Sequence, residues 1–306
     1  MSETSAPRQR RGDMSNRLRS RPAARTGPPG FPWPWRDRAG RFSPLRLALL
    51  IGLLVPAAVT LIYLLGGGYG AEPWKQAMRD MGSDALHILL VSLAVTPLRF
   101  VADWPKAATL RRMVGLTALS YVVLHLFLYA GHLAWNLPAL AGEIATRIYL
   151  TLGFAVLCGL SVLGWTSTDG WQRRLGPRWK RLHRLAYPLA AAAVLHAFLQ
   201  SKASADAAVI AAGLYAWLML WRLLPGRWRA DGAGLLVLAA VAGAVTAAIE
   251  SAWYAAATNL PVGRILAANL GLDAGMRPAQ WVLLAGLAVA ALPWLRRITR
   301  RAPARA

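Results

Sequence analysis

Across 306 residues there is one cysteine, Cys158, and there are five histidines and 13 carboxylates against 35 lysines and arginines. A single thiol excludes an internal disulfide, a cysteine-rich zinc site and a four-cysteine iron–sulfur cluster. It also excludes the Cys-x-x-Cys-His attachment of covalent haem. Cys158 lies inside an apolar run and is expected as a small core residue. No glycine-rich phosphate loop is present. Gly66-Gly67-Gly68-Tyr69-Gly70 ends an apolar run without the strand–turn–helix setting of a nucleotide fingerprint, so the chain carries no evident flavin–nicotinamide domain of its own. No solenoid repeat is visible. Residues 1–44 lack any apolar run. Rich in Arg, Pro, Gly and Ser, they are expected to form a disordered basic tail rather than a cleavable signal.

What remains is strongly apolar. Hydrophobic residues make up 56% of the chain and the mean hydropathy is +0.38, values that point to a polytopic membrane protein. Eight apolar segments are read at 45–65, 84–101, 113–134, 148–166, 183–200, 206–222, 232–257 and 279–295, against the roughly 20 residues needed to span a bilayer. Basic residues fall between these segments, which assigns them to orientation rather than to nucleic-acid binding. The N-terminal tail, the alternate gaps and the C-terminus hold 29 of the 35, and the other gaps hold 6: Lys75, Arg79, Arg147, Lys202, Arg264 and Arg277. The alternation predicts both termini in the cytoplasm. The expected architecture is an all-α membrane helix bundle with a six-helix core over 45–225 and two further spanning helices over 226–306.

Three histidines lie in or beside these segments: His125, His183 and His196. A titratable ring inside a bilayer is expensive and marks a functional-site candidate. His125 is 13 residues beyond Arg112, and His196 is 13 beyond His183. At 1.5 Å per residue each lies about 20 Å from the inner surface. Two level imidazoles on separate helices suit the two axial positions of one haem iron, and with no covalent attachment that haem is b-type. His183 stays open between a ligand of a second haem and a residue beside a basic loop. Its phase of about 220° from His196 in an ideal helix requires a bend, for which Pro188 is the candidate. Arg111 precedes His125 by 14 residues and shares its face to within about 40°; an orientation anchor is its plainer reading. His87 is expected as a polar partner or propionate contact, and His132 as solvated.

Several stretches carry a family resemblance. They are Arg-Arg-Met-Val-Gly with Leu-His-Leu over 111–126, Thr-Arg-Ile-Tyr-Leu-Thr-Leu-Gly over 146–153, and Leu-Ala-Val-Thr-Pro-Leu-Arg over 93–99. The inner loop from Thr166 through Asp169-Gly170-Trp171 and Lys180-Arg181-Leu182-His183 to Tyr187 belongs with them. Over about 45–225 the chain resembles the haem-binding membrane subunits of periplasmic protein-methionine-sulfoxide reductase systems, within the wider ferric-reductase-like transmembrane group.

The resemblance implies a subunit that takes electrons from the quinone pool or a cytosolic flavin reductase. It passes them through haem b, with FMN, to a periplasmic molybdopterin reductase that repairs oxidised methionines. It carries the haem ligands onto His125 and His196, a third histidine onto His183, and an arginine near a second site onto Arg111. It places the protein in the bacterial inner membrane as an electron-transfer subunit rather than the catalytic one. The wider group has two histidines on each of two helices; here Arg111 stands at the inner position of the third segment, which leaves the haem count at one or two. Arg147 is placed to pair with haem propionates, with an outer-loop charge as the alternative. Residues 173–184 are placed to hold an FMN phosphate or dock an acidic flavoprotein. Glu250, in the seventh segment, is either a proton or quinone contact or a hydrogen-bond partner of a neighbouring helix. Two other functions fit the composition: a ferric or quinone reductase acting alone, and a proton-coupled transporter. The absence of similar halves argues against the transporter.

Overall fold

The computed structural model describes residues 33–36, 40–201, 204–258, 260–271 and 275–301. Most of the tail expected to be disordered, 1–32 and 37–39, lies outside the described residues, as do Lys202 and Arg305. Among the described residues all regular structure is helical: α1 (Pro44–Leu65), α2 (Pro73–Val101), α3 (Arg111–His132), α4 (Leu137–Thr146), α5 (Ile148–Trp165), α6 (Asp169–Leu175), α7 (Pro177–His183), α8 (Ala186–Gln200), α9 (Asp206–Leu223), α10 (Gly232–Thr258), α11 (Val262–Leu270) and α12 (Pro278–Arg301). Four of these open on a proline, where the missing N–H has no intrahelical partner to lose.

Within Met1–Leu47, Trp33 stacks on Trp35 at 4.8 Å and Arg36 forms an isolated bridge with Phe42. Arg46 donates to the Arg36 carbonyl at 2.7 Å. The second unit, Ala48–Ala306, is the helix bundle.

Eight crossings are long and apolar enough to span a bilayer among the described residues: α1, α2, α3, α5, α7 with α8, α9, α10 and most of α12. They coincide with the eight segments expected, and the protein is a multi-pass helical membrane protein. Two differences are informative. α2 begins at Pro73, about a dozen residues before the apolar run that announced it. Its first turns carry Lys75, Arg79, Asp80 and Asp84, which hide the helix from hydropathy. Ala77, Met81 and Ala85 recur every four residues and are buried, so packing of one stripe extends the helix. The fifth crossing is broken at Arg184–Leu185, between α7 and α8, one turn before Pro188, whose missing N–H leaves the Arg184 carbonyl without its helical donor. Pro188 sits in the first turn of α8, where it is tolerated.

α2 packs along α3; α3 also packs on α5, and α8 on α5, α2 and α9. Two internal prolines are served from neighbouring helices. Pro97 in α2 cannot donate to the Leu93 carbonyl, and Arg222 of α9 does so instead, from Nη2 at 2.8 Å. Pro56 disturbs α1. There the Tyr121 hydroxyl of α3 donates to the Leu53 carbonyl at 2.6 Å and accepts from the Ala57 N–H at 3.0 Å. One buried phenol therefore serves both ends of the disturbed turn. Apart from Leu53 and Thr60, little of α1 is buried; Ile51, Leu54, Val59 and Ile62 point outward, as suits a lipid solvent.

The last spans pack closely through small residues, the usual device where lipid supplies no hydrophobic drive between helices. At Gly286 of α12 a Cβ would stand 2.7 Å from the Ala239 Cβ of α10.

Candidate functional site

α3 and α8 each carry one histidine into the space between them. The His125 and His196 ring centres lie 6.5 Å apart with their planes at 84°. Each ring is oriented by the same device. His125 donates from Nδ1 to the Met78 carbonyl of α2 at 2.7 Å, and His196 donates from Nδ1 to the Tyr149 carbonyl of α5 at 2.7 Å. A carbonyl only accepts, so both bonds assign the proton to Nδ1 and leave Nε2 with its lone pair. One turn after each carbonyl stands a glycine against the ring. A Cβ at Gly82 would lie 2.8 Å from His125 Nδ1, and one at Gly153 would lie 2.8 Å from His196 Cε1. The carbonyl precedes its histidine by 47 residues in both cases, and the glycine by 43. Two helix pairs, α2 with α3 and α5 with α8, thus repeat one nest.

The separation has a chemical meaning. Two imidazoles that held one iron between them, each with a metal–nitrogen bond of about 2.0 Å and about 1.1 Å from ring nitrogen to ring centre, would have centres about 6.2 Å apart. The observed 6.5 Å matches that span. Among the described residues no group of three or more His, Cys, Asp or Glu gathers to form a multi-ligand metal site. A two-imidazole donor set with a planar macrocycle filling the other positions fits; a zinc-type site does not.

The short helix α4 lies beyond the histidines at the end of the bundle where α3 ends and α5 begins. Tyr129, one turn beyond His125, donates to Glu143 of α4. Arg147 pairs with Glu143 at 3.1 Å and donates to the Tyr149 hydroxyl at 3.1 Å. The Tyr149 hydrogen bond first, and then the Glu143 carboxylate, raise the Arg147 guanidinium above its ordinary pKa. Arg147 therefore stands at the start of α5 with a carboxylate beside it, and Tyr149 links it to His196 through its own carbonyl.

His183 and Arg111 are not drawn into this pair. His183, at the end of α7, is stacked on Trp179 at 4.0 Å, and its Nε2 is 3.1 Å from the Thr166 hydroxyl. That hydroxyl donates to the Val162 carbonyl at 2.8 Å, so it accepts from His183. Trp179 Nε1 closes the corner on the Thr166 carbonyl at 2.8 Å. Arg111 donates to the Thr96 hydroxyl of α2. His87 is 3.5 Å from the Ser83 hydroxyl, and His132 is exposed beside Tyr129. Cys158, expected in the core, is exposed on α5. An apolar residue facing lipid needs no protein cover, so a hydrophobic run does not tell inside from outside. Glu250 is fully buried, ion-paired with Arg277 and accepting from Asn269 Nδ2 at 2.9 Å. It therefore has helix-linking partners.

The paired glycines and the Tyr121 and Glu143 contacts were missed by sequence reasoning. The recurring 43-residue Gly-to-His spacing was the signal available.

Residues 82–194 match the family described as ferric reductase like transmembrane component. That span includes His125 and stops two residues before His196. The chain is 41% identical over 194 residues to the protein-methionine-sulfoxide reductase heme-binding subunit MsrQ of Rhodospirillum rubrum, covering 62% of this chain and 90% of that protein. It is 38% identical over 199 residues to the protein of the same name from Caulobacter vibrioides, covering 62% and 94%. For the one from Deinococcus radiodurans the figures are 39% over 176 residues, 57% and 87%. No solved structure matches the chain.

Proposed function

From its membership of the MsrQ family of heme-binding subunits, we propose that this protein is a b-type cytochrome that relays electrons across the bacterial inner membrane to a periplasmic protein-methionine-sulfoxide reductase. The single observation that carries the reading is the 6.5 Å separation of the His125 and His196 rings. Haem, when bound, supplies reversible one-electron transfer. The chain's own part is to hold two imidazoles in one tautomer. The Met78 and Tyr149 carbonyls fix Nδ1–H and raise the basicity of Nε2. A haem held by both His125 and His196 would keep no open position for oxygen, which would suit electron transfer over oxygen activation. Both termini face the cytoplasm in this reading, residues 45–225 form the haem domain, and 226–306 are an added helical extension.

Arg147 is offered as a propionate contact at the outer rim. Because Glu143 is beside it, that role needs Arg147 to exchange or share its partner. A second haem at His183 has thinner support, since its Nε2 is engaged by Thr166. The partner is a molybdopterin reductase, and FMN or an acidic flavoprotein meets the basic stretch 173–184. The donor is quinol or a cytosolic flavin reductase. Support for quinol comes from a cleft of about 310 Å³ between α1 and α2, lined by Pro56, Val59, Thr60, Asp80, Ser83 and Asp84. The Asp80 and Asp84 carboxylates there are able to take the two protons that a quinol releases on oxidation, with the Thr60 and Ser83 hydroxyls as hydrogen-bond partners.

The test is a reduced-minus-oxidised optical spectrum of the purified full chain and of His125→Ala and His196→Ala. The b-type band should be present in the parent and lost or displaced in both variants. A normal band in both variants rejects the ligand assignment, and a colourless parent from haem-replete cells returns the transporter reading. Reduction of soluble ferric or quinone acceptors at full rate without a periplasmic partner favours the stand-alone reductase.

A further inference from the structure

Three arginines lie near three helix ends at one end of the bundle, and among the described residues none of them has an acidic partner. Arg99 is near the end of α2, Arg111 opens α3, and Arg222 is in the last turn of α9. Arg111 and Arg222 are brought to the same helix, α2, by their hydrogen bonds to Thr96 and to the Leu93 carbonyl, three residues apart. All three are tied to one stretch of α2. Arg99 lies in it, Arg111 donates to Thr96, and Arg222 donates to the Leu93 carbonyl at 2.8 Å. Arg222 also covers the Tyr187 ring at 4.9 Å, and Arg99 contacts the Phe100 ring at 5.8 Å.

Positive charge on the inner side is expected of any such protein. Nearby basic residues show how it is ordinarily balanced. Arg112 pairs with Asp169 at 3.1 Å, and Arg296 pairs with Asp103 at 2.6 Å. None of Arg99, Arg111 and Arg222 makes an ion pair among the described residues. Like charges gathered beside an apolar bundle repel, and the arrangement is favourable when an anion lies among them. Guanidinium forks match phosphate oxygens, and basic pockets between spanning helices at the cytoplasmic face suit acidic headgroups.

We propose that Arg99, Arg111 and Arg222 form a binding site for a phosphate group at the inner face, filled by the headgroup of an acidic phospholipid. The proposal is independent of the haem assignment. The same phosphate chemistry is offered by FMN, and the test separates the two sources.

Purified, delipidated full chain is titrated with phosphatidylglycerol or phosphatidylcholine, and separately with FMN or riboflavin. Binding is read by native mass spectrometry and flavin fluorescence. The parent should prefer phosphatidylglycerol. Arg99→Gln should weaken that preference about fivefold, the effect of one surface cation at a membrane, while Arg99→Lys retains most of it. Arg222→Gln should weaken it too, but its bond to Leu93 is structural, so Arg99→Gln decides if that variant fails to fold. Arg99-dependent binding of FMN over riboflavin, without a lipid preference, keeps the phosphate site and changes its source. Equal binding of both lipids with no Arg99-dependent preference for FMN overturns the proposal, as does unaltered binding by Arg99→Gln.

Discussion

Gly82 lies against the His125 ring so closely that a Cβ would stand 2.8 Å from Nδ1. Gly153 has the same relation to His196. Adding a methyl group must therefore push either ring away from its carbonyl. Gly82→Ala and Gly153→Ala should each cost about 1–3 kcal/mol in thermal unfolding, the usual range for overpacking. Each should also shift the haem band or midpoint potential. The spectrum separates this from general destabilisation: Gly286→Ala, at the α10–α12 contact, should destabilise while leaving the band in place.

Tyr121 is almost wholly buried and gives its hydroxyl to the disturbed turn of α1. Tyr121→Phe leaves the Leu53 carbonyl and Ala57 N–H without that partner. The expected loss is about 1–3 kcal/mol, the cost of stranding buried polar groups. Thermal unfolding in detergent measures it. The loss should shrink when Pro56→Ala is made first, since alanine restores a regular helical donor.

Glu250 has no exposed surface and is paired with Arg277. Glu250→Ala should cost about 1–3 kcal/mol, because it leaves the largely buried Arg277 guanidinium with only the looser Asp206 carboxylate at 3.9 Å and removes one acceptor of the Asn269 amide. Removing Arg277 as well should recover part of that loss. Electron transfer by the surviving folded fraction should be unchanged. Loss of activity in a stably folded Glu250→Gln variant would instead give this carboxyl a role in proton or quinone chemistry.

Tyr69, in the turn between α1 and α2, donates to Asp80 at 2.7 Å. Burial first, and then the Asp80 hydrogen bond, raise its pKa above the ordinary 10.0. A group whose folded pKa is raised contributes stability that is whole below its unfolded pKa and lost as pH climbs through the folded one. The stability difference between the parent and Tyr69→Phe should be constant up to about pH 10 and then narrow. A difference that widens above pH 10 would contradict the sign.

Much of this was legible in one dimension because lipid is a demanding solvent. A bilayer requires about 20 apolar residues per crossing, so the eight spans stand out in the sequence. His125 and His196 were legible as a level pair because depth follows from rise per residue. Less legible were the features that depend on which way a side chain turns. The phase of His183 required a departure from one ideal helix before His196, and the break at Arg184–Leu185 supplies it, but where the His183 ring then turns depended on Thr166 and Trp179. α2 was read a dozen residues short because its outer turns are polar on one side and buried on the other.

The amino-acid order by itself determined the number of crossings, the alternation of basic residues between them and two histidines at matched positions along their helices, since length, charge and rise are properties of a single helix. Only the tertiary structure decided that a carbonyl and a glycine from a neighbouring helix hold each ring. It likewise decided that His183 belongs to a Thr166–Trp179 corner and that Arg111 and Arg222 both reach the Leu93–Arg99 stretch of α2. Those relations join residues far apart in the chain, and they exist only once helix faces have been chosen by packing.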